Sequence, residues 1–166
     1  MTAKTTSCKP GASTALARKR LSVPMRWLQG QGLLAHRAPG HLGPARVLDY
    51  GCGRGSDADT LGIEGYDPAH RPTAPEGLYD VITCTYVLNV VDAATEAEVL
   101  AAIRGLLLPG GAAYVAVRRD LPEGGAQGRG CWQRLVRLDA PLLREVSDYA
   151  IYRLTRSASA NTNDNS

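Results

Sequence analysis

Apolar positions along this chain change period several times, and the changes divide it into alternating helices and strands. Leu16, Leu21, Met25 and Leu28 recur at helical spacings broken by Pro24. A helix capped by Ser22, with Pro24 in its first turn where a missing N–H costs nothing, is expected to reach about Gln29 and stop near Gly30 and Gly32. Ala38–Pro44 reads as a Gly/Pro loop. Ala45–Tyr50 is a short apolar strand closing on a glycine turn, and Gly62–Asp67 is a second strand stopped by Pro68. Prolines punctuate Arg71–Gly77, and Tyr79–Cys84 is nearly continuously apolar, as in a parallel strand buried on both faces. Thr95–Leu107 is the clearest helix, with Thr95 and Glu98 as a capping box and Val99, Ile103 and Leu106 on one face. Pro109-Gly110-Gly111 turns it into a strand over Ala112–Arg118. After the glycine-rich loop Gly124–Gly130, the β-like runs Cys131–Leu138 and Tyr149–Leu154 suggest a terminal hairpin, with a short helical stretch over Pro141–Val146 between them.

Strands alternating with helices imply an α/β fold around a parallel-cored sheet. With 166 residues and 44% hydrophobic content the chain suits one folded domain, expected over residues 14–155 between disordered ends at 1–13 and 156–166. It has no Phe, so Leu, Val, Ile, Tyr and Trp must fill the core. The net charge of +3, with both signs scattered, argues against an obligatory polyanion binder. No apolar run approaches the roughly 20 residues that span a bilayer, and Met1–Ala12 lacks a signal-peptide core. Cys8, Cys52, Cys84 and Cys131 are widely spaced without a C-x-x-C pair. That disfavours a disulfide framework or zinc site and fits reduced thiols in a cytoplasmic protein.

The chemistry concentrates in Val47-Leu-Asp-Tyr-Gly-Cys-Gly-Arg-Gly55. A strand ending in Asp49 and entering Gly51, Gly53 and Gly55 offers bare backbone where a ligand must come close. Asp67, at the end of the next strand, stands where a Rossmann-like sheet faces a ribose.

Asp49, the spacing of the three glycines, the acidic strand end and Leu108-Pro-Gly-Gly111 before a strand together resemble class I S-adenosylmethionine-dependent methyltransferases, over roughly Arg46 to Arg119. The resemblance implies a Rossmann-like three-layer sandwich, a mostly parallel sheet with a C-terminal β-hairpin, and S-adenosylmethionine as cofactor. Tyr79–Cys84 then matches the family's fourth strand and Leu106–Val117 the approach to its fifth. It also implies that Gly51, Cys52, Gly53 and Gly55 line the methionine part and Asp49 lies near its amino group. Asp67 would hold the ribose, and Thr85 and Tyr86 would lie beside the sulfonium. Two departures stand out. Seven residues separate Gly55 from Ile63, so the first helix should be one turn or missing. Eleven separate Asp67 from Tyr79, where the family fits a helix, a strand and another helix, so the middle of the fold is shortened. The adenine pocket normally comes from that part; Asp57, Asp59 or the Pro68–Pro72 loop are its candidate substitutes, with His70 near the adenine side. A narrower resemblance links Asp49–Gly55, Gly65-Tyr-Asp-Pro68 with Arg71-Pro72, and Tyr86-Val-Leu-Asn-Val90 to compact bacterial methyltransferases, some associated with DNA modification gene clusters.

Two other readings compete. A nicotinamide dinucleotide domain would want glycine at Ser56 and no carboxylates near its pyrophosphate, whereas Asp57 and Asp59 follow the turn. A methyltransferase fold that binds the cofactor as a regulatory or scaffold subunit is the other. The acceptor is expected to be a small molecule or a protein. Nucleic acid is disfavoured because Thr83-Cys84-Thr85-Tyr86 lacks the proline motif of base amino-methyltransferases. Tyr86 and Asp120, with Tyr114, are the candidates to orient an acceptor or take its proton. Arg118 and Arg119, at the carboxyl end of a strand, are the candidates to bind it, against the alternative of local pairing with Asp120. Arg18-Lys19-Arg20 reads either as a phosphate contact or as a solvated helix start. The N-terminal helix and Gly124–Gly130 are candidate lids.

Overall fold

Parallel pairing sets the frame. In a computed structural model that describes residues 15, 17–128 and 131–156, β1 (Val47–Tyr50) lies between β2 (Glu64–Tyr66) and β3 (Tyr79–Thr85), parallel to both. β3 pairs in parallel with β4 (Leu107–Arg118). β8 (Tyr149–Thr155) and β7 (Leu142–Glu145) add on antiparallel, giving the order β2-β1-β3-β4-β8-β7. Met25 and Leu28 of α1 (Val23–Gly30), with Leu61 of α2 (Ser56–Leu61), pack against Val47, Val81, Tyr114 and Ile151 on one face. Ile103 of α3 (Ala93–Leu106) and Val136 pack against Leu48, Ile82, Val115 and Leu154 on the other. The result is the three-layer, mostly parallel Rossmann-like sandwich with a C-terminal hairpin. Its middle is shortened as expected: no helix or strand stands between β2 and β3, only loop and turn with an isolated Asp67–Arg71 bridge. β2 is therefore a sheet edge.

Several boundaries differ from the sequence reading, each for a local reason. Ser22 stands at the N-cap of α1 but its side chain makes no capping bond; its Oγ is buried without a partner among the described residues, while its N–H donates to Asp57 Oδ1 (2.8 Å). The helix after the glycine turn is longer than one turn, because left-handed Gly55 and Gly62 bracket it tightly. α3 begins earlier than Thr95: Asp92 is its cap, accepting the Thr95 N–H (2.8 Å), so Thr95 receives capping rather than supplying it. Pro109-Gly110-Gly111 is a bulge inside β4, between the Tyr79–Leu107 and Val81–Ala112 pairs, rather than a turn before it.

The hairpin partner of β8 is β7, so Pro141–Val146 holds a strand where a helical stretch was expected. Pairing of Leu142 with Tyr152 and Glu145 with Ala150 overrides the local pattern. The Cys131 run stops after β6 (Cys131–Gln133), which pairs with β5 (Ala126–Gly128) in a separate two-stranded sheet, so part of the glycine-rich loop is strand. Cys131 is disulfide-bonded, contrary to the reduced-thiol reading, its partner lying outside the described residues. Cys52 and Cys84 are free thiols. Leu16 and the expected disordered ends, apart from Arg156, also lie outside the described residues. No helix among the described residues is long and apolar enough to cross a membrane.

Asp80 anchors the end of the sheet away from the glycine turn. Wholly buried at the start of β3, it accepts the N–H groups of Ala38 (2.7 Å) and Arg46 (2.8 Å) and pairs with His41 Nδ1 (2.6 Å). Burial pushes its carboxyl up, but these donors outweigh burial and hold it below the usual carboxylate range. Its contribution to stability is therefore complete above about pH 4 and lost as pH falls through the depressed folded value. Asp80→Ala, which strands buried donors, is expected to cost about 3–5 kcal/mol in urea unfolding at pH 7. A loss under about 1 kcal/mol would mean that the loop closes without it.

Candidate active site

β1 delivers Asp49 and Tyr50 to its carboxyl end, where the chain reverses through Gly51, Gly53 and Gly55. Two of these glycines answer to their neighbours. A Cβ on Gly51, at φ 77°, would lie 2.3 Å from Val87 Cγ2, and one on Gly55, at φ 85°, 2.0 Å from the Arg71 guanidinium carbon. The Tyr66 carbonyl accepts the N–H groups of Gly51 (2.7 Å) and Cys52 (3.0 Å), which fastens the turn to the end of β2. Asp67 completes the clasp. Its Oδ2 accepts the Gly53 N–H (3.1 Å), and its Oδ1 accepts those of Ala69 (2.9 Å) and His70 (3.0 Å).

A cavity of about 480 Å³ opens over this turn, at the carboxyl edge of the parallel strands. Asp49, Gly51, Cys52, Gly53 and Asp67 line one part; Thr85, Tyr86, Arg118 and Asp120 line another. These residues, named from the sequence, are thus brought together. Gly55 and Arg119 are not. Gly55 sits behind the turn, making room for Arg71, which pairs with Asp59 (2.6 Å). Arg119 is drawn to the β7–β8 side, where its N–H donates to the Asp148 carbonyl (2.9 Å) and its guanidinium pairs with Glu145 (2.5 Å). Tyr114 is core, packed with Met25 and Leu28, and Asp59 is not part of the cavity wall.

Arg118 lines the cavity but its guanidinium is occupied. It grips both oxygens of Asp120 (2.8 and 2.7 Å) and donates to Gln133 Oε1 (2.6 Å). Asn89, buried in the Tyr86–Val90 motif, steadies this corner: its Oδ1 accepts the Arg118 N–H (2.8 Å) and its Nδ2 donates to the Arg134 carbonyl (2.9 Å). The sequence reading missed the role of Asn89 and the cavity residues Gln133 and Asp148, and also an apolar wall of Tyr50, Tyr66, Val87, Val90 and Val99. The Tyr50 and Tyr66 rings lie 5.1 Å apart. Both follow from strand alternation, since Leu48 and Tyr50 point to the same face.

The charge of the cavity is negative. Asp49, Asp57, Asp67, Asp120 and Asp148 face Arg18 and Arg118. Burial pushes the Asp49 carboxyl up to about 7, against the bond from the Thr83 hydroxyl (3.0 Å) and with the charge of Asp57 adding to the rise. Asp120 is held below the usual range, chiefly by its bonds from Arg118. Tyr86 has φ 63°, a left-handed conformation that costs a bulky residue about 1–3 kcal/mol, held by its N–H to the Ala116 carbonyl (2.8 Å). Burial pushes its phenol up to about 12. Thr85 Oγ1 is buried with no hydrogen-bond partner among the described residues.

A sequence family described as a methyltransferase domain matches residues 28–138 of the 166. The chain belongs to that methyltransferase family. No curated protein matches the chain. Among solved structures, it is similar to the S-adenosylmethionine-dependent methyltransferase SibL in its apo form, with 11% identity, a TM-score of 0.53, and coverage of 80% of this chain and 54% of that one. Magnesium protoporphyrin IX methyltransferase from Synechocystis PCC 6803 with bound SAH is 15% identical, at TM-score 0.46, covering 81% of this chain and 80% of that one. PKMT2 from Rickettsia typhi in complex with AdoHcy is 21% identical, at TM-score 0.34, over 43% of this chain and 20% of that one. The chain thus spans about half the length of SibL and a fifth of that of PKMT2. Membership removes the nicotinamide dinucleotide reading.

The raised Asp49 carboxyl has a stability consequence in this methyltransferase domain. A folded-state value near 7, above about 3.9 unfolded, stabilises the fold fully below pH 4 and loses that contribution as pH rises through 7. Relative to Asp49→Asn, the wild-type protein should lose up to about 1.4 kcal/mol per pH unit across that window. Urea midpoints for both proteins from pH 4 to 8 test this; parallel curves would show that Asp49 ionises in the folded state as it does unfolded.

Proposed function

We propose that this chain is a methyltransferase that takes the methyl group of S-adenosylmethionine and transfers it to a small-molecule or protein acceptor. The observation that carries the reading is an acid-lined cavity over a glycine turn, at the carboxyl edge of a methyltransferase-family sheet. The residues fit the cofactor. Gly51 and Gly53 leave the turn without side chains, the carboxylates favour a cation over a pyrophosphate, and Thr85 Oγ1 is a buried polar atom with no partner among the described residues. When bound, the cofactor supplies an electrophilic methyl on a sulfonium.

Asp49 and Asp57 would hold the cationic amino acid end, with Gly51, Cys52 and Gly53 beneath it. Asp67, already pinned by three N–H groups, keeps acceptor capacity for ribose hydroxyls. With the usual adenine-pocket segment missing, Pro68 and the wall of Tyr50, Tyr66, Val87 and Val99 offer the apolar surface for the base. Thr85 and Tyr86 would border the transfer point. Tyr86 keeps its proton at neutral pH and so acts as a hydrogen-bond donor, not a base. Asp120, ionised and clamped by Arg118, is a weak base that can orient an acceptor. Catalysis then rests on alignment and exclusion of water rather than on proton abstraction.

Calorimetric titration of the wild-type protein with S-adenosylhomocysteine is expected to show one site. Asp67→Ala should weaken it at least tenfold, about 1.4 kcal/mol, and Tyr66→Ala should weaken it as well. Thermal melts run alongside separate lost binding from lost folding. Folded variants with unchanged affinity would overturn the site. A methyl-transfer assay over candidate acceptors then separates an enzyme from a binding subunit.

A further inference from the structure

A second depression, of about 530 Å³, adjoins the cavity. The segment Arg18–Val23 and Tyr86 form it, so it contains three consecutive cations and no carboxylate. Arg18, Lys19 and Arg20 are exposed, and none of them forms an ion pair among the described residues. Nor are they a loose tail. The Arg18 N–H donates to Ser56 Oγ (3.1 Å) and the Ser22 N–H to Asp57 Oδ1 (2.8 Å), which pins both ends of the segment to α2. Leu21 and Val23 add apolar surface. Arg18 and Tyr86 belong to both depressions.

The sign of charge therefore reverses across Tyr86. An anion is repelled by the aspartates of the cavity and drawn to the groove. Inside the cavity Arg118 is neutralised by Asp120, and outside it Arg119 is paired with Glu145, so neither is left to receive an acidic acceptor. We propose that the Arg18–Val23 groove docks the acceptor and that the acceptor carries a phosphate group. Three adjacent cations match a phosphate dianion better than a single carboxylate, and the apolar surface takes the body of the molecule. The anion held there would present its nucleophile to the cavity past Tyr86. The inference rests on the methyltransferase reading for the word acceptor, but the anion site itself does not depend on it.

The probes are a nucleoside 5′-monophosphate, the matching nucleoside and inorganic phosphate, titrated calorimetrically at low salt with and without saturating S-adenosylhomocysteine. The monophosphate is expected to bind the loaded protein at least tenfold more tightly than the nucleoside. Lys19→Glu/Arg20→Glu, at exposed positions outside the cavity, should weaken it at least tenfold while leaving S-adenosylhomocysteine affinity unchanged. Inorganic phosphate binding as tightly as the ester would support the site and assign the contact to the anion alone. Equal affinity for nucleoside and monophosphate, monophosphate binding that survives the double charge reversal, or no binding by either phosphate probe would overturn the proposal. Failure of S-adenosylhomocysteine to bind would overturn the cofactor reading alone, because the phosphate titration of the unloaded protein still decides the groove.

Discussion

The clasp between the ends of β1 and β2 is the constraint on which the rest of the site depends. Two N–H groups on the Tyr66 carbonyl and a third on Asp67 Oδ2 bind the glycine turn to an edge strand of three residues. Among the described residues no further strand pairs with that edge, since the chain passes from Asp67 to Tyr79 through loop and turn with a single isolated bridge. Backbone donors held by a buried carboxylate are among the stronger hydrogen bonds available to a fold, about 1.5–3 kcal/mol each. Asp67 shapes the turn before it touches any ligand.

The site also carries charges that the fold would be more stable without. Asp49 lies wholly inside, near two other carboxylates, with only the Thr83 hydroxyl bonded to it and the distant charge of Arg71 in its favour. Placing an acid there raises the free energy of its ionised form, by about 4 kcal/mol for a carboxyl pushed up to about 7. Tyr86 adds backbone strain of similar order. Both burdens fall on the carboxyl edge of the sheet. At the opposite end the Asp80 carboxylate is gripped by two N–H groups and lies against His41. Strain and unpaired charge at one end, satisfaction at the other, is the distribution expected where ligand contacts are meant to supply the missing partners.

What the sequence made legible was whatever the backbone pattern alone determines. The apolar run Tyr79–Cys84, the glycine turn and the acidic strand end place β1, β2 and β3 and the polar part of the cavity wall around Asp49 and Asp67. Arg119 could not be excluded from that wall by sequence, because its direction depends on pairing with β7, and β7 itself was hidden. Leu142 and Leu143 carry no alternation, and only the register with Tyr152 and Ala150 makes them strand. The cap of α3 was missed for a narrower reason. Asp92 and Thr95 both suit an N-cap, and what decides between them is the bond from the Thr95 N–H to Asp92 Oδ1. Gly55 belonged to the motif, yet its lack of a side chain serves Arg71.

The Arg118–Asp120 pair shows why residue identity at a strand end is a poor guide to ligand charge. Two arginines there suggest an anion site, but a guanidinium bound to both oxygens of an adjacent carboxylate and to Gln133 presents almost no net charge. Breaking it to bind an anion would require the ligand to outcompete a bidentate partner already in place. Asn89 ties the Arg118 N–H to the Arg134 carbonyl next to Gln133, which fixes the backbone that carries the arginine. Its chemical value is therefore positional. It fixes an ionised carboxylate, not a cation, beside Tyr86, and leaves the task of attracting negative charge to the Arg18–Val23 groove, whose own lining holds no carboxylate.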